Sequence, residues 1–295
     1  MGLLDNLQSM FGGGGKKSMD FETRFERIRS SVNGTMSNFF VARDHQENQV
    51  VGVKLCDIEK VQQFEARFKG LNKPSEGAIA MQMRHPLIVE TYEVGKNRKG
   101  QPFLVMEFIP GPPMQSLIAE GQANQLMGKR LKLIRDMAGA IRYVHENGFI
   151  HRDICPRNFI CLPDVLGAKL IDFGLTVPKT RPFMAPGNRT GTPLYMSPEI
   201  VRRRATDERV DIFSFGVSCY VLCTLQHPWQ DQETTGRAAL HHDTKPPTDI
   251  FEHRPDLNQA LGRAIMQAMH PDVMQRTESM ETFLKQIEKV QSETE

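Results

Sequence analysis

The hydrophobic period of this chain changes near residue 108, and no other single feature constrains its fold as strongly. Residues 21–107 carry short apolar runs between polar turns, among them Phe39-Phe40-Val41, Val50-Val51-Gly52-Val53 and Phe103-Leu104-Val105-Met106, which is a strand-rich pattern. One helical stretch is expected within it, near Ser75 to Met83. In residues 108–295 apolar positions recur every three or four: Leu131, Ile134, Ala138, Ile141 and Val144, then Phe283, Leu284, Ile287 and Val290. Ile212 to Cys223 is apolar almost all round, so it reads as a helix buried within that unit, with Cys219 and Cys223 as packing residues. A length of 295 residues, 39% of them hydrophobic, supports two such units with a cleft between them. The expected class is α+β: a small sheet-rich lobe preceding a larger, mainly helical one.

Charge excludes several functions. Lys and Arg number 37 against 35 Asp and Glu, so no global field draws the chain to nucleic acid. Arg202-Arg203-Arg204 is the densest basic spot, open to reading as a solvated face or an anion contact. Five scattered cysteines with no CxxC make no disulfide framework, which fits a reducing cytoplasm. No apolar run is long enough to cross a membrane. Residues 1–20 stand apart: Met1 to Phe11 has helical apolar spacing and runs into Gly12 to Gly15. That segment is expected to be a flexible tail with a short amphipathic piece, able to contact a partner or a membrane surface.

The polar clusters carry the chemistry. His151-Arg152-Asp153-Ile154-Cys155-Pro156-Arg157-Asn158 sets an acid and an amide five apart on a proline-braced loop. Asp172-Phe173-Gly174 follows the apolar run Ala168 to Ile171, and Lys54 ends Val51-Gly52-Val53. Phosphoryl transfer needs a cation on the phosphates, oxygen ligands for magnesium and a carboxylate at the incoming hydroxyl. Lys54, Asp172 with Asn158, and Asp153 can supply them in that order. His241-His242-Asp243 invites a metal reading, but neighbouring side chains on a regular element diverge, so a solvated loop is expected there.

With those residues in this order, the chain from about 26 to 290 resembles a eukaryotic-type protein kinase of the serine/threonine kind. The resemblance implies a bilobal fold, with a small antiparallel sheet and one αC helix in the first lobe, and Mg-ATP and protein serine or threonine hydroxyls as substrates. It implies catalytic roles for Asp153, Lys54, Glu76 and Asn158, with Glu76 pairing Lys54 and with Asn158 and Asp172 as magnesium ligands. Nucleotide contacts fall to Lys54, Val32, Gly34, Gly52, the gatekeeper Met106, the hinge residues Glu107 and Ile109, Ile160 below the adenine, and Asp172. Gly191 to Glu199 resembles the substrate-docking end of the activation segment, with Thr192 beside Asp153, Glu199 pairing Arg276, and Asp211 anchoring the catalytic loop.

The departures are specific. Val32 and Ser37 stand where two of three phosphate-loop glycines are usual, and only Gly34 remains. Phe39 replaces the valine above the adenine, which predicts a reshaped roof. Cys155 replaces the catalytic-loop lysine, so a cation is expected to be missing near the transferred phosphate and the rate to suffer. Thr180 and Thr190 are the candidate activation-segment phosphosites, with Thr190 the better placed, because Asn188 fills the usual position. An active kinase is the first reading, and a signalling scaffold with weak or absent catalysis is the alternative.

Overall fold

The computed structural model of the chain describes residues 20–29, 32–33, 37–119, 122–187, 189–229 and 238–295, with main chain alone at 32, 33, 123 and 238. The amphipathic segment of the first twenty residues, Gly34 and Asn188 therefore lie outside the described residues, apart from Asp20.

Six strands form the first lobe: β1 (Phe25–Arg27), β2 (Val32–Asn33), β3 (Ser37–Asp44), β4 (Gln49–Cys56), β5 (Thr91–Lys96) and β6 (Pro102–Glu107). Their order is β1-β3-β4-β6-β5, all antiparallel, with β2 on β3. One face is sealed by Phe21, Phe25, Phe40, Val51, Val53, Phe103 and Val105. Arg24 clamps Asp44 at 3.0 and 2.8 Å, and Asp44 also accepts the Gln46 N–H in the β3–β4 turn. One side chain thus fixes both the edge of the sheet and its hairpin.

The helices are α1 (Phe21–Arg24), α2 (Ile58–Glu65), α3 (Glu76–Ala80), α4 (Met114–Ala119), α5 (Arg130–Glu146), α6 (Pro198–Val201), α7 (Arg209–Thr224), α8 (Ile250–His253), α9 (Gln259–Ala268) and α10 (Met280–Gln286). The helix expected near Ser75 to Met83 is the single short helix α3, capped by Ser75 accepting the Ala78 N–H at 3.2 Å. Pro74 has no N–H and cannot continue a helix from upstream. A separate helix that the apolar spacing did not reveal, α2, precedes it, capped by Asp57. Its Phe64, with Phe68 just beyond, packs not on the sheet but on Phe183, Ile200 and Val201 of the second lobe.

Helix α7 is buried on every side, as its composition implies. Its polar side chains survive there by bonding the preceding turn: Ser214 to the Val210 carbonyl, Ser218 to that of Ser214, and Thr224 to that of Tyr220. Cys219 and Cys223 are packed within it, and burial pushes the Cys223 thiol up to about 12. A Cβ on Gly216 would lie 2.8 Å from the Met269 amide nitrogen, so only glycine lets α9 approach this closely. Short strand pairs complete the second lobe: β7 (Phe149–Ile150) with β10 (Val177–Pro178), and β8 (Phe159–Cys161) with β9 (Ala168–Leu170).

The solvated loop expected at His241-His242-Asp243 is not what forms there, because His242 is buried. Its ring lies 4.2 Å from Trp229 and 5.6 Å from Phe213, and Nδ1 donates to the Met196 carbonyl, while Asp243 is held by Arg202. Burial lowers the pKa of His242, and of nearby His227, to about 4. The unfolded state, with histidine near ~6.5, then binds more protons than the folded state between that pH and about 4, so stability falls as pH falls through this window. Each imidazole is expected to contribute roughly 3 kcal/mol to that loss. Urea midpoints across this range should decline less steeply in His242→Gln than in wild type, and parallel slopes would remove His242 from the account.

Candidate active site

The Val51 to Lys54 run ends in the cleft because β4 is the central strand, paired on both sides by β3 and β6. Lys54 is buried, and its Nζ contacts Glu76 Oε1 at 2.5 Å and Asp172 Oδ1 at 2.8 Å. These three groups come from β4, α3 and the turn after β9. Burial disfavours the ammonium, but the Asp172 and Glu76 carboxylates outweigh it and hold the Lys54 pKa well above its ordinary value. Against the desolvation of the cleft floor, Lys54 and the Gly174 N–H hold Asp172 down at about 2. Burial raises Glu76, partly offset by Lys54.

Phe173 is buried with its ring 5.4 Å from His151, which keeps Asp172 turned toward Lys54. Asp211, buried on α7, accepts the main-chain N–H groups of His151 and Arg152 at 2.7 and 2.8 Å and the His145 Nε2–H at 2.9 Å. Arg152 and Asp172 both sit at left-handed φ, 66° and 67°. Such conformations cost on the order of 1–3 kcal/mol each and persist only where the surroundings hold them.

Asp153 is the hub of the catalytic loop. Oδ1 accepts the Thr192 N–H at 2.8 Å and its hydroxyl at 2.6 Å, while Oδ2 accepts Asn158 Nδ2 at 3.0 Å and Arg157 Nη2 at 3.2 Å. Arg157 also donates to Thr192 Oγ1 at 2.9 Å. The motif reading missed Arg157. Cys155 is buried and its thiol is pushed up to about 12 by burial, so it carries no charge. The turn Pro156–Asn158 carries Arg157, whose guanidinium reaches Asp153 and Thr192, the residue whose hydroxyl lies 3.6 Å from the Cys155 sulfur. The alternation of positions around a proline turn was the available signal.

Asn158 spends Nδ2 on the Asp153 carbonyl and carboxylate, which leaves Oδ1 as an oxygen donor, and the Ile171 N–H bonds the Asn158 carbonyl at 2.9 Å beside Asp172. An amide oxygen and a carboxylate form a hard donor set that fits magnesium. At the hinge, Glu107 is held by Lys169 at 2.7 Å, and Ile160 is bridged to Pro113. The Ile109 N–H and C=O have no partner among the described residues, leaving one donor and one acceptor for a nucleobase edge. Glu199 and Arg276 pair at 2.6 and 3.1 Å in the core.

The Phe39 ring lies against Gly52. A Cβ on residue 52 would lie 2.7 and 2.9 Å from the Phe39 ring and 3.2 Å from Met106. The large residue on β3 is accommodated by the missing side chain on β4. Gly52→Ala is therefore expected to destabilise the fold by about 1–3 kcal/mol, the cost of overpacking. Phe39→Val should recover most of that in the double variant. Additive effects in a thermal-denaturation cycle would show that the two positions do not share this space.

Of the candidate phosphosites, Thr180 is exposed, whereas Thr190 is buried. Arg152 donates to the Phe183 carbonyl and to Thr206 Oγ1, so a neutral cap holds it.

Residues 26–290 match the protein kinase domain family. The chain is 27% identical to the serine/threonine-protein kinase pkn3 of Myxococcus xanthus over 94% of its own length and 51% of that protein. It is 31% identical to CBL-interacting serine/threonine-protein kinase 19 of Arabidopsis thaliana, over 71% of this chain and 42% of that one. Against serine/threonine-protein kinase PknB of Mycobacterium tuberculosis the identity is 29%, over 80% and 38%. The chain thus spans about half or less of the length of these relatives. Because the family match runs from Glu26 to Val290, through both the sheet and the helices that meet at the cleft, the chain belongs to the protein kinase domain family.

Proposed function

We propose that this chain is an active protein serine/threonine kinase that transfers the γ-phosphate of ATP to serine or threonine hydroxyls of proteins in the cytoplasm, in a signalling role. The observation that carries the reading is Lys54 in contact with both Glu76 and Asp172, three charges drawn from separate segments to one point of the cleft. A scaffold has no need to hold Lys54 and Glu76 as a buried charged pair facing Asp172. All five cysteines are unbridged, in keeping with a reducing compartment, and no described helix is long and apolar enough to cross a membrane.

In this reading Lys54, fixed by Glu76, pairs with nucleotide phosphate oxygens. Magnesium, when bound, supplies charge neutralisation on the phosphates, and Asp172 and Asn158 are the residues that would hold it. Asp153 orients the acceptor hydroxyl and accepts its proton, with Thr192 and Asn158 fixing the carboxylate. Arg157 stands beside both as a donor for charge developing on the transferred group. Glu107, Ile109, Met106, Gly52 and Ile160 border the base, and the family resemblance assigns Val32 and Gly34 to the phosphates, Gly34 lying outside the described residues. The test is mass spectrometry of a generic acceptor protein after incubation with Mg-ATP and either wild type or Asp153→Asn. Phosphate on serine or threonine only with wild type is expected, and none with either protein would overturn the enzyme reading.

A further inference from the structure

The apolar residues that join the two lobes outside the cleft form a cluster of their own. It takes Phe64 and Phe68 from α2 and the 3-10 turn after it, Phe183 from the activation segment, Met196 from the docking segment, and Ile200 and Val201 from α6. All six are buried, and among the described residues none from the first lobe's sheet joins them. Phe64 lies 5.3 Å from Phe68, edge to face, and Phe68 lies 5.5 Å from Phe183, so the rings form a row.

Both ends of that row lead to the active site. Residues 69–74 join Phe68 to Ser75, the cap of α3, and they have little freedom. The Leu71 N–H bonds the Phe68 carbonyl at 2.9 Å, Leu71 packs on the same cluster, and Pro74 has a fixed φ. Helix α3, which carries Glu76, has five residues, well short of the ~12–15 at which a helix holds itself in water. Its position must come from packing at its two ends. Ile79 and Ala80 supply one through the main core, and the segment from Phe68 supplies the other. At the far end of the row Phe183 is pinned twice: its ring by Phe68, and its carbonyl by Arg152 Nη2 at 2.8 Å. The same nitrogen donates to Thr206 Oγ1, and the Thr206 N–H returns to the Met184 carbonyl at 2.9 Å. Arg152 directly precedes Asp153, so the row ends on the catalytic loop.

We propose, on the reading of the chain as an active kinase, that Phe64, Phe68 and Phe183 are positioning residues for phosphoryl transfer. The row couples two arrangements that transfer needs together: Glu76 set on Lys54, and the activation segment set beside Asp153. Apolar packing supplies the order that an anion paired with Arg152 would otherwise supply, so the rate requires no phosphate on the segment.

Hydrogen exchange of the full chain reads the coupling without nucleotide or acceptor, so that result is independent of whether the chain transfers phosphate. Phe183→Ala lies far along the chain from α3, yet it is expected to speed exchange of the Ile79 and Met81 amides by at least about tenfold. Phe68→Ala should do the same at Met184 and Thr206, while the Phe283 and Ile287 amides of α10 exchange as in wild type. Well below their thermal midpoints both variants should lose about tenfold to a hundredfold in kcat, the scale of a small misplacement. Phe68→Leu, which keeps the position apolar, should recover most of that rate, and wild type stripped by a phosphatase should keep its own. Unchanged exchange in α3, or acceleration that reaches α10 equally, overturns the coupling and leaves the rings a purely structural role. Coupled exchange with an unchanged kcat overturns the positioning role. A rate that falls on stripping assigns the ordering to a phosphate instead. Coupled exchange in a chain whose wild type transfers no phosphate overturns the enzyme reading while upholding the coupling.

Discussion

Asp153→Asn is expected to slow phosphoryl transfer by ~10²–10⁴-fold, the range associated with a general base, while nucleotide affinity stays near that of wild type. The amide is the same size as the carboxylate and its oxygen can still accept the Thr192 N–H, while its NH2 group loses the hydrogen bonds from Asn158 and Arg157. What it loses is the charge and the basic oxygen that the acceptor hydroxyl needs. In the proposed function nucleotide affinity rests elsewhere, on Lys54 with Glu76 and Asp172, none of which bonds Asp153. Single-turnover rates and a nucleotide titration on the same preparation separate the two effects. An unchanged rate would remove Asp153 from its role, whereas a parallel loss of affinity would show that the substitution disturbs the cleft as a whole.

Arg157→Ala is expected to cost ~10²–10³ in turnover, the scale measured for one preorganised donor to developing charge. Its guanidinium is half exposed and bonds only Asp153 and Thr192 in the described structure, so the fold should be indifferent to its loss and the thermal midpoint unchanged. Partial desolvation disfavours the cation, and the neighbouring Asp153 carboxylate, which accepts its hydrogen bond, raises its pKa and keeps it charged. A general loss of packing would lower stability and rate together. If the missing cation is what matters, adding Cys155→Lys to Arg157→Ala should recover a substantial part of the rate. No loss in the single variant would mean that the loop transfers phosphate without a cation at this point.

The two substitutions also show where a reading of residues stops. Lys54, Glu76, Asp153, Asn158 and Asp172 were legible because each lies in a short motif whose spacing is set locally by a strand, a turn or a helix start. Their assembly followed from the order of those motifs. Cys155 suggested a deficit for the same reason, since a motif is compared position by position. The replacement from Arg157 depends on how a proline turn rotates successive side chains, and on Thr192 arriving from 35 residues further along the chain. Helix α2 was missed on different grounds: it is short, and its buried aromatics face the second lobe, so its apolar residues show no stripe matched to the sheet.

What the sequence determined by itself is the α+β division near residue 108, the buried helix α7 and the identity of the charged residues in the cleft, because period, spacing and turn chemistry are local. Tertiary structure alone decided two things. It brought the Arg157 guanidinium to Asp153 and Thr192, and it fitted the Phe39 ring into the space left by Gly52. Each depends on distances between segments far apart in the chain. Those distances are set by packing of the whole core rather than by any stretch of residues within it.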